Sequence, residues 1–140
     1  MRNALFSLPL VAVLAACAAP PEAGADASAV RTPVEVSVTY RERILLPPGH
    51  VLAVRVEDVS LADAPARTLA EVKQTLEGRG PPYAVTVPVP ADEVDPMHVY
   101  AVRAEIRDPD GALRFTTDIR HLVLTRGARN QADIVLVGVR

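Results

Sequence analysis

The clearest order in the chain is a period of two. Val34, Val36, Val38 and Tyr40 share one face of a run whose other face carries Glu35, Ser37, Thr39 and Arg41, the pattern of a strand with one side buried and one in water. Leu52, Val54 and Val56 repeat it against Arg55 and Glu57. Tyr100, Val102, Ala104 and Ile106 do so against Ala101, Arg103, Glu105 and Arg107. The first two runs, parted by Pro47-Pro48-Gly49, are expected to lie side by side as antiparallel neighbours. Tyr83, Val85, Val87 and Val89 form another strand, and it belongs at an edge because Pro88 and Pro90 have no N–H to give a ladder. Asp108-Pro109-Asp110-Gly111 is a turn signal, after which Leu113 and Phe115 fold back as the second half of a hairpin. Two further apolar runs follow, Ile119 to Leu124 and Ile134 to Val139.

Arg67 to Glu77 is ambiguous by itself. Leu69, Val72 and Leu76 have helical spacing, while Ala70, Val72, Gln74 and Leu76 make a weak strand face; the surrounding strands decide for strand. The expected fold is all-β, a single β-sandwich of about seven to eight mostly antiparallel strands with turns roughly every 8 to 12 residues.

The N-terminus departs from this pattern. Arg2 precedes Leu5, Phe6, Leu8, Leu10, Val11, Val13 and Leu14, and the run stops at Ala15, Ala16 and Cys17. It is shorter than the roughly 20 residues a membrane-spanning helix needs, and a positive end, an apolar stretch and small residues make a secretory signal. Leu14-Ala15-Ala16-Cys17 resembles the lipobox of bacterial lipoproteins, in which the cysteine sulfur receives a diacylglyceryl group and the signal is cut just before it. That implies three parts: a lipoprotein signal peptide at 1–16, the lipidated Cys17 with a flexible Ala/Pro-rich linker at 17–32, and a β-sandwich domain at 33–140. The membrane is then a partner through the lipid, each buried methylene contributing roughly 0.8 kcal/mol. Ala18, rather than Asp, after the cysteine implies the outer membrane, with the domain facing the periplasm.

Removing residues 1–16 leaves 14 basic against 17 acidic side chains, a formal charge of −3. A chain so balanced has no electrostatic footprint for nucleic acid. Cys17 is the only cysteine, so the domain has no disulfide, and Tyr40, Tyr83, Tyr100 and Phe115 are its only aromatics. Stacking platforms for sugars or unpaired bases are accordingly scarce.

No chemistry stands out. His50, His98 and His121 are far apart in sequence, and neither Ser37 nor Ser60 sits in a G-x-S-x-G elbow. The pairs Glu57/Asp58 and Asp108/Asp110 and the trio Asp92/Glu93/Asp95 lie at turns, where Asp binds its own backbone. Asp108-Pro109-Asp110-Gly111 lacks the later ligands of a calcium loop. No catalytic residue, metal ligand or cofactor is expected, and no ligand-binding residue is singled out. Arg41, Arg43, Arg55, Arg103 and Arg107, interspersed with Glu35, Glu57 and Glu105, read as a cross-strand ion-pair ladder or as a polar docking face. The Tyr83–Val89 edge is open to strand addition.

Several segments taken together carry a family resemblance. They are Val38-Thr39-Tyr40-Arg41-Glu42-Arg43, Leu46-Pro47-Pro48-Gly49, Val54-Arg55-Val56-Glu57-Asp58-Val59-Ser60, Ala62-Asp63-Ala64-Pro65-Ala66, Tyr100-Ala101-Val102-Arg103-Ala104, Phe115-Thr116-Thr117-Asp118 and Val123-Leu124-Thr125-Arg126-Gly127. In this order and spacing they resemble the YbaY/YscW-like lipoprotein domain over nearly the whole mature chain. The resemblance implies a non-enzymatic periplasmic β-sandwich that binds another envelope protein. In one branch of the family that role is a type III secretion lipoprotein chaperone, or pilotin, assisting an outer-membrane secretin. The alternative is a lipoprotein that senses a small ligand, which needs an apolar pocket.

Overall fold

The computed structural model describes residues 30–140. The expected signal peptide, Cys17 and the expected linker as far as residue 29 lie outside the described residues. Among those described there are eight strands: β1 (Arg31–Tyr40), β2 (Val51–Asp58), β3 (Arg67–Thr75), β4 (Tyr83–Pro90), β5 (Tyr100–Arg107), β6 (Leu113–Thr116), β7 (His121–Val123) and β8 (Gln131–Gly138). They join in the order β3-β2-β5-β6-β8-β1-β4, with β7 also on β5. Edge strands β3 and β4 come to lie beside each other, so the sheet folds into a sandwich that is nearly a closed barrel. The all-β sandwich read from the alternation is what the chain forms.

One arm is β4-β1-β8 and the other β3-β2-β5 with β6 and β7. The arms are joined at a short seam, where Phe115 and Thr116 oppose Gly138 and Val137 and the Val139 N–H donates to Arg114 O at 2.9 Å. The inward residues are those the alternation selects: Val34, Val36, Val38 and Tyr40 from β1, Leu52, Val54 and Val56 from β2, and Tyr83 to Val89 at every second place from β4. Opposite them pack Tyr100, Val102, Ala104 and Ile106 from β5 and Ala132, Ile134 and Leu136 from β8.

β1 and β2 are not neighbours, contrary to the sequence expectation. β1 pairs with β4 antiparallel and with β8 in parallel, and β2 lies between β3 and β5. The reason lies in the connection. Ten residues with two consecutive prolines are too long for a two-residue hairpin turn, and Leu46 is buried in the core as the chain crosses from one arm to the other. The strand assignment for Arg67 to Glu77 holds. Its helix-like spacing comes from a bulge: Val56 faces Ala70 and Glu57 faces Thr68, so Leu69 is the extra residue. Leu69, Ala70 and Val72 then all pack against the core.

Proline placement follows from ladder phase. The Ala91 N–H donates to Val30 O at 2.9 Å, so odd positions of β4 bond to β1, and Pro88 and Pro90 turn their missing donors outward. Pro33 is tolerated in the central strand because β8 begins only opposite Glu35. The predicted hairpin between β5 and β6 is present: Gly111, at φ 87°, donates its N–H to Asp108 O. One Asp108 carboxylate oxygen accepts from the N–H groups of Asp110 and Ala112.

Candidate docking face

Folding brings His98 to Asp58 and Ser60, forty residues away in sequence from Asp58. The Ser60 hydroxyl donates to Asp58 Oδ1 at 2.6 Å, and His98 Nδ1 lies 2.7 Å from Oδ2 of the same carboxylate. A serine nucleophile needs the imidazole between serine and carboxylate, whereas here the carboxylate is in the middle. Ser60 Oγ also accepts the Val99 N–H at 2.8 Å. The cluster therefore pins the loop after β2 to the start of β5.

The same wiring sets a pH dependence. Burial pushes the Asp58 carboxyl up, but hydrogen bonds from the Ser60 hydroxyl and N–H, and then the His98 ring, outweigh it, leaving a pKa below the ordinary 3.8. A carboxylate with a lowered folded-state pKa contributes stability that is complete above the unfolded value and is lost as pH falls through the folded one. Asp58→Asn is therefore expected to lower the unfolding midpoint near neutrality and to flatten the acid limb below about pH 4. Parallel urea titrations of both proteins across that range check this; identical acid limbs would remove Asp58 from the account.

His50 is buried, its Nδ1 2.9 Å from Pro47 O. Among the described residues no three His, Asp or Glu side chains converge as metal ligands.

The arginines and glutamates of β2 and β5 form the expected ladder, with Glu105 as its hub. Arg55, Arg103 and Arg107 lie 2.9, 3.3 and 3.3 Å from its carboxylate. Arg55 Nε sits 3.4 Å from Glu57 but without a well-directed hydrogen bond. Arg41 and Arg43 stand outside this ladder. The outer edge of β4 is poorly suited to strand addition, since Pro88 and Pro90 cannot donate there and β3 lies alongside.

A different face is left open. In β1, β2 and β4 the outward positions are mostly polar or small, but in β8 they include Val135, Val137 and, just beyond it, Val139. Two depressions follow this strand, and another adjoins them across the 117–120 loop. One of about 290 Å³ lies under Ile119 and Arg120 against Arg103; one of about 330 Å³ is lined by Val135, Val137, His121 and Arg41; one of about 450 Å³ is lined by Val137, Val139, Ile44 and Phe115. Ile119 lines the first two and Val137 the last two, and the two that share Val137 make a shallow groove along β8. Its walls are the 117–120 loop and the segment after β1. Glu42 can close over Gly138 because a Cβ there would stand 3.0 Å from its Oε1. The buried His121 Nε2 has no hydrogen-bond partner.

Residues 29–136 match the family described as type III secretion system lipoprotein chaperone (YscW). The chain belongs to this family. It is 33% identical over 126 residues to the uncharacterized lipoprotein YbaY of Escherichia coli strain K12, covering 86% of this chain and 65% of that protein; the chain thus spans somewhat under two thirds of that relative. Among solved structures it is similar to an alternative pilotin from the type II secretion system of Vibrio cholerae, at a TM-score of 0.75 and 37% identity, over 79% of this chain and 98% of that one. The YbaY/YscW resemblance carried by the short segments is therefore borne out.

Within that family setting, the sequence reading found the ion-pair ladder and missed the groove. The signal was present: Ile134-Val135-Leu136-Val137-Gly138-Val139 has no polar position. Runs of that kind mark strands covered on both faces.

Proposed function

We infer that the protein is a lipid-anchored, non-enzymatic chaperone of pilotin type, held to the outer membrane through Cys17 and facing the periplasm. Its groove along β8 receives an apolar segment of another envelope protein, and kinship with a pilotin makes a secretin the partner class. The observation that carries this reading is the uncovered apolar end of the outer face of β8, Val135, Val137 and Val139. With Ile44 and Ile119 at its rim, it offers a strip where aliphatic side chains of a partner leave water. Tethering adds to a modest interface by raising the local concentration of the domain near membrane-bound partners. A small-ligand role draws no support from the core, which Tyr100, Leu52, Ile106, Ile134 and Leu136 fill at under 2% exposure.

In-cell crosslinking of the intact lipoprotein, followed by mass spectrometry, tests the reading, with Cys17→Ser and Val137→Glu as comparisons. Val137 is outward and partly exposed, so a charge there leaves the core alone. Val137→Glu is expected to reduce capture of the dominant envelope partner by roughly tenfold or more, the effect of about 1.4 kcal/mol or above. Capture unchanged by Val137→Glu would place the partner elsewhere on the domain, and capture unchanged by Cys17→Ser would remove the tether from the mechanism.

A further inference from the structure

The most exposed large apolar side chains among the described residues are not in the groove. They are Val30, Leu61 and Met97, at 75%, 73% and 71% exposure. They come from three separate stretches of chain, and strand directions bring all three to one end of the sandwich. Val30 leads into β1; Leu61 lies in the loop from β2 to β3; Met97 lies in the loop from β4 to β5.

Contacts make that end one connected surface. Val30 O accepts the Ala91 N–H, Glu93 of the same turn pairs with Arg67 at the start of β3, and Asp58 holds both Ser60 and His98. The 124–130 loop joins through Arg126, whose Nη2 approaches Met97 Sδ at 3.9 Å. The opposite end carries the 41–50 connection, the β5–β6 hairpin and the C-terminus.

This is also the end at which the chain arrives from Cys17. Twelve residues lie between Cys17 and Val30, a reach of at most about 45 Å when fully extended. A lipid on Cys17 therefore holds this end within about 45 Å of the bilayer, closer to the anchor along the chain than any other part of the domain. We propose that the tether-side end is a membrane-contact surface, with Leu61 and Met97 entering the interface of the bilayer that holds the lipid and Val30 beside them. The assignment rests on the lipidated reading of Cys17 and adds a second, non-covalent contact to it.

Charge selects the kind of surface. Arg31, Arg126 and Arg129 at this end are matched by Asp63, Asp92 and Asp95, so no basic patch seeks anionic lipid. Contact is by apolar side chains with the interface of zwitterionic lipid and is insensitive to salt.

The test uses the full lipoprotein in phosphatidylcholine vesicles. Acylation blocks the Cys17 sulfur, so Leu61→Cys, Met97→Cys and, at the far end, Leu45→Cys each present a single free thiol for an environment-sensitive fluorophore. Leu45 is 62% exposed and serves as a matched control. Probes at 61 and 97 are expected to shift to the blue, to be quenched by a nitroxide carried in the lipid and to be shielded from aqueous iodide, equally at low and high salt. The probe at 45 is expected to stay open to iodide. Probes at 61 and 97 as accessible as that at 45, in a protein whose intact mass shows the acyl groups, overturn the contact. The same holds if they become shielded only in whole envelopes, which would assign this end to a protein. An intact mass without acyl groups overturns the tether itself, and the contact with it.

Discussion

Phe115→Ala is expected to cost about 3–5 kcal/mol, a large part of the 5–15 kcal/mol that holds a domain of this size together. Phe115 is the sole buried side chain of β6. Its ring stacks on Tyr40 with centroids 4.8 Å apart and planes 23° from parallel, and Tyr83 lies 6.5 Å beyond Tyr40. It thus touches strands of both arms at the point where they are joined. Losing the ring leaves a void between Tyr40, Ile106 and the backbone of Gly138, and short β6 has no second anchor to hold the seam. Urea denaturation followed by circular dichroism reads the effect. A loss below about 1 kcal/mol would show that the seam relaxes to fill the space.

The second large effect is electrostatic. Glu105→Gln keeps the shape of the side chain and removes its charge, leaving Arg55, Arg103 and Arg107 without their shared counter-ion. Arg55 and Arg103 are directly opposed in the register, and Glu105, only 7% exposed, is what makes that pairing tolerable. Removing one partner of a buried ion pair costs about 3–5 kcal/mol. The arginine side chains here are 26–50% exposed, and water screens part of the repulsion, so about 2–3 kcal/mol is expected. Salt supplies the distinguishing sign: it should stabilise the Gln variant, where like charges remain, and weaken the wild-type ladder slightly. A variant that melts with the wild type at every salt concentration would make the ladder a solubility device alone.

The strands were legible because each buries one face, and period two records that directly. The neighbours of a strand were not. Nothing in Val34 to Tyr40 says that its parallel partner begins at Gln131, since pairing is settled by which arms can close over a shared core. The ladder could be read from charges at alternate positions of adjacent strands. The Asp58–Ser60–His98 cluster could not, because the cluster exists only through the apposition of two loops. The groove falls between these cases: its valines are plain in the sequence, but that they face outward depends on knowing that Ala132, Ile134 and Leu136 face in.

The parallel pairing of β1 with β8 has a consequence in time. The first strand of the sandwich takes as its interior neighbour the last strand to be made, and β8 also carries half of the seam between the arms. A chain delivered N-terminus first can assemble β4 on β1, or β3 and β5 on β2, but these remain separate sheets, each with an open apolar face. Closure waits for Gln131 to Gly138. The sandwich thus closes on its two arms only when Gln131 to Gly138 is available to join them.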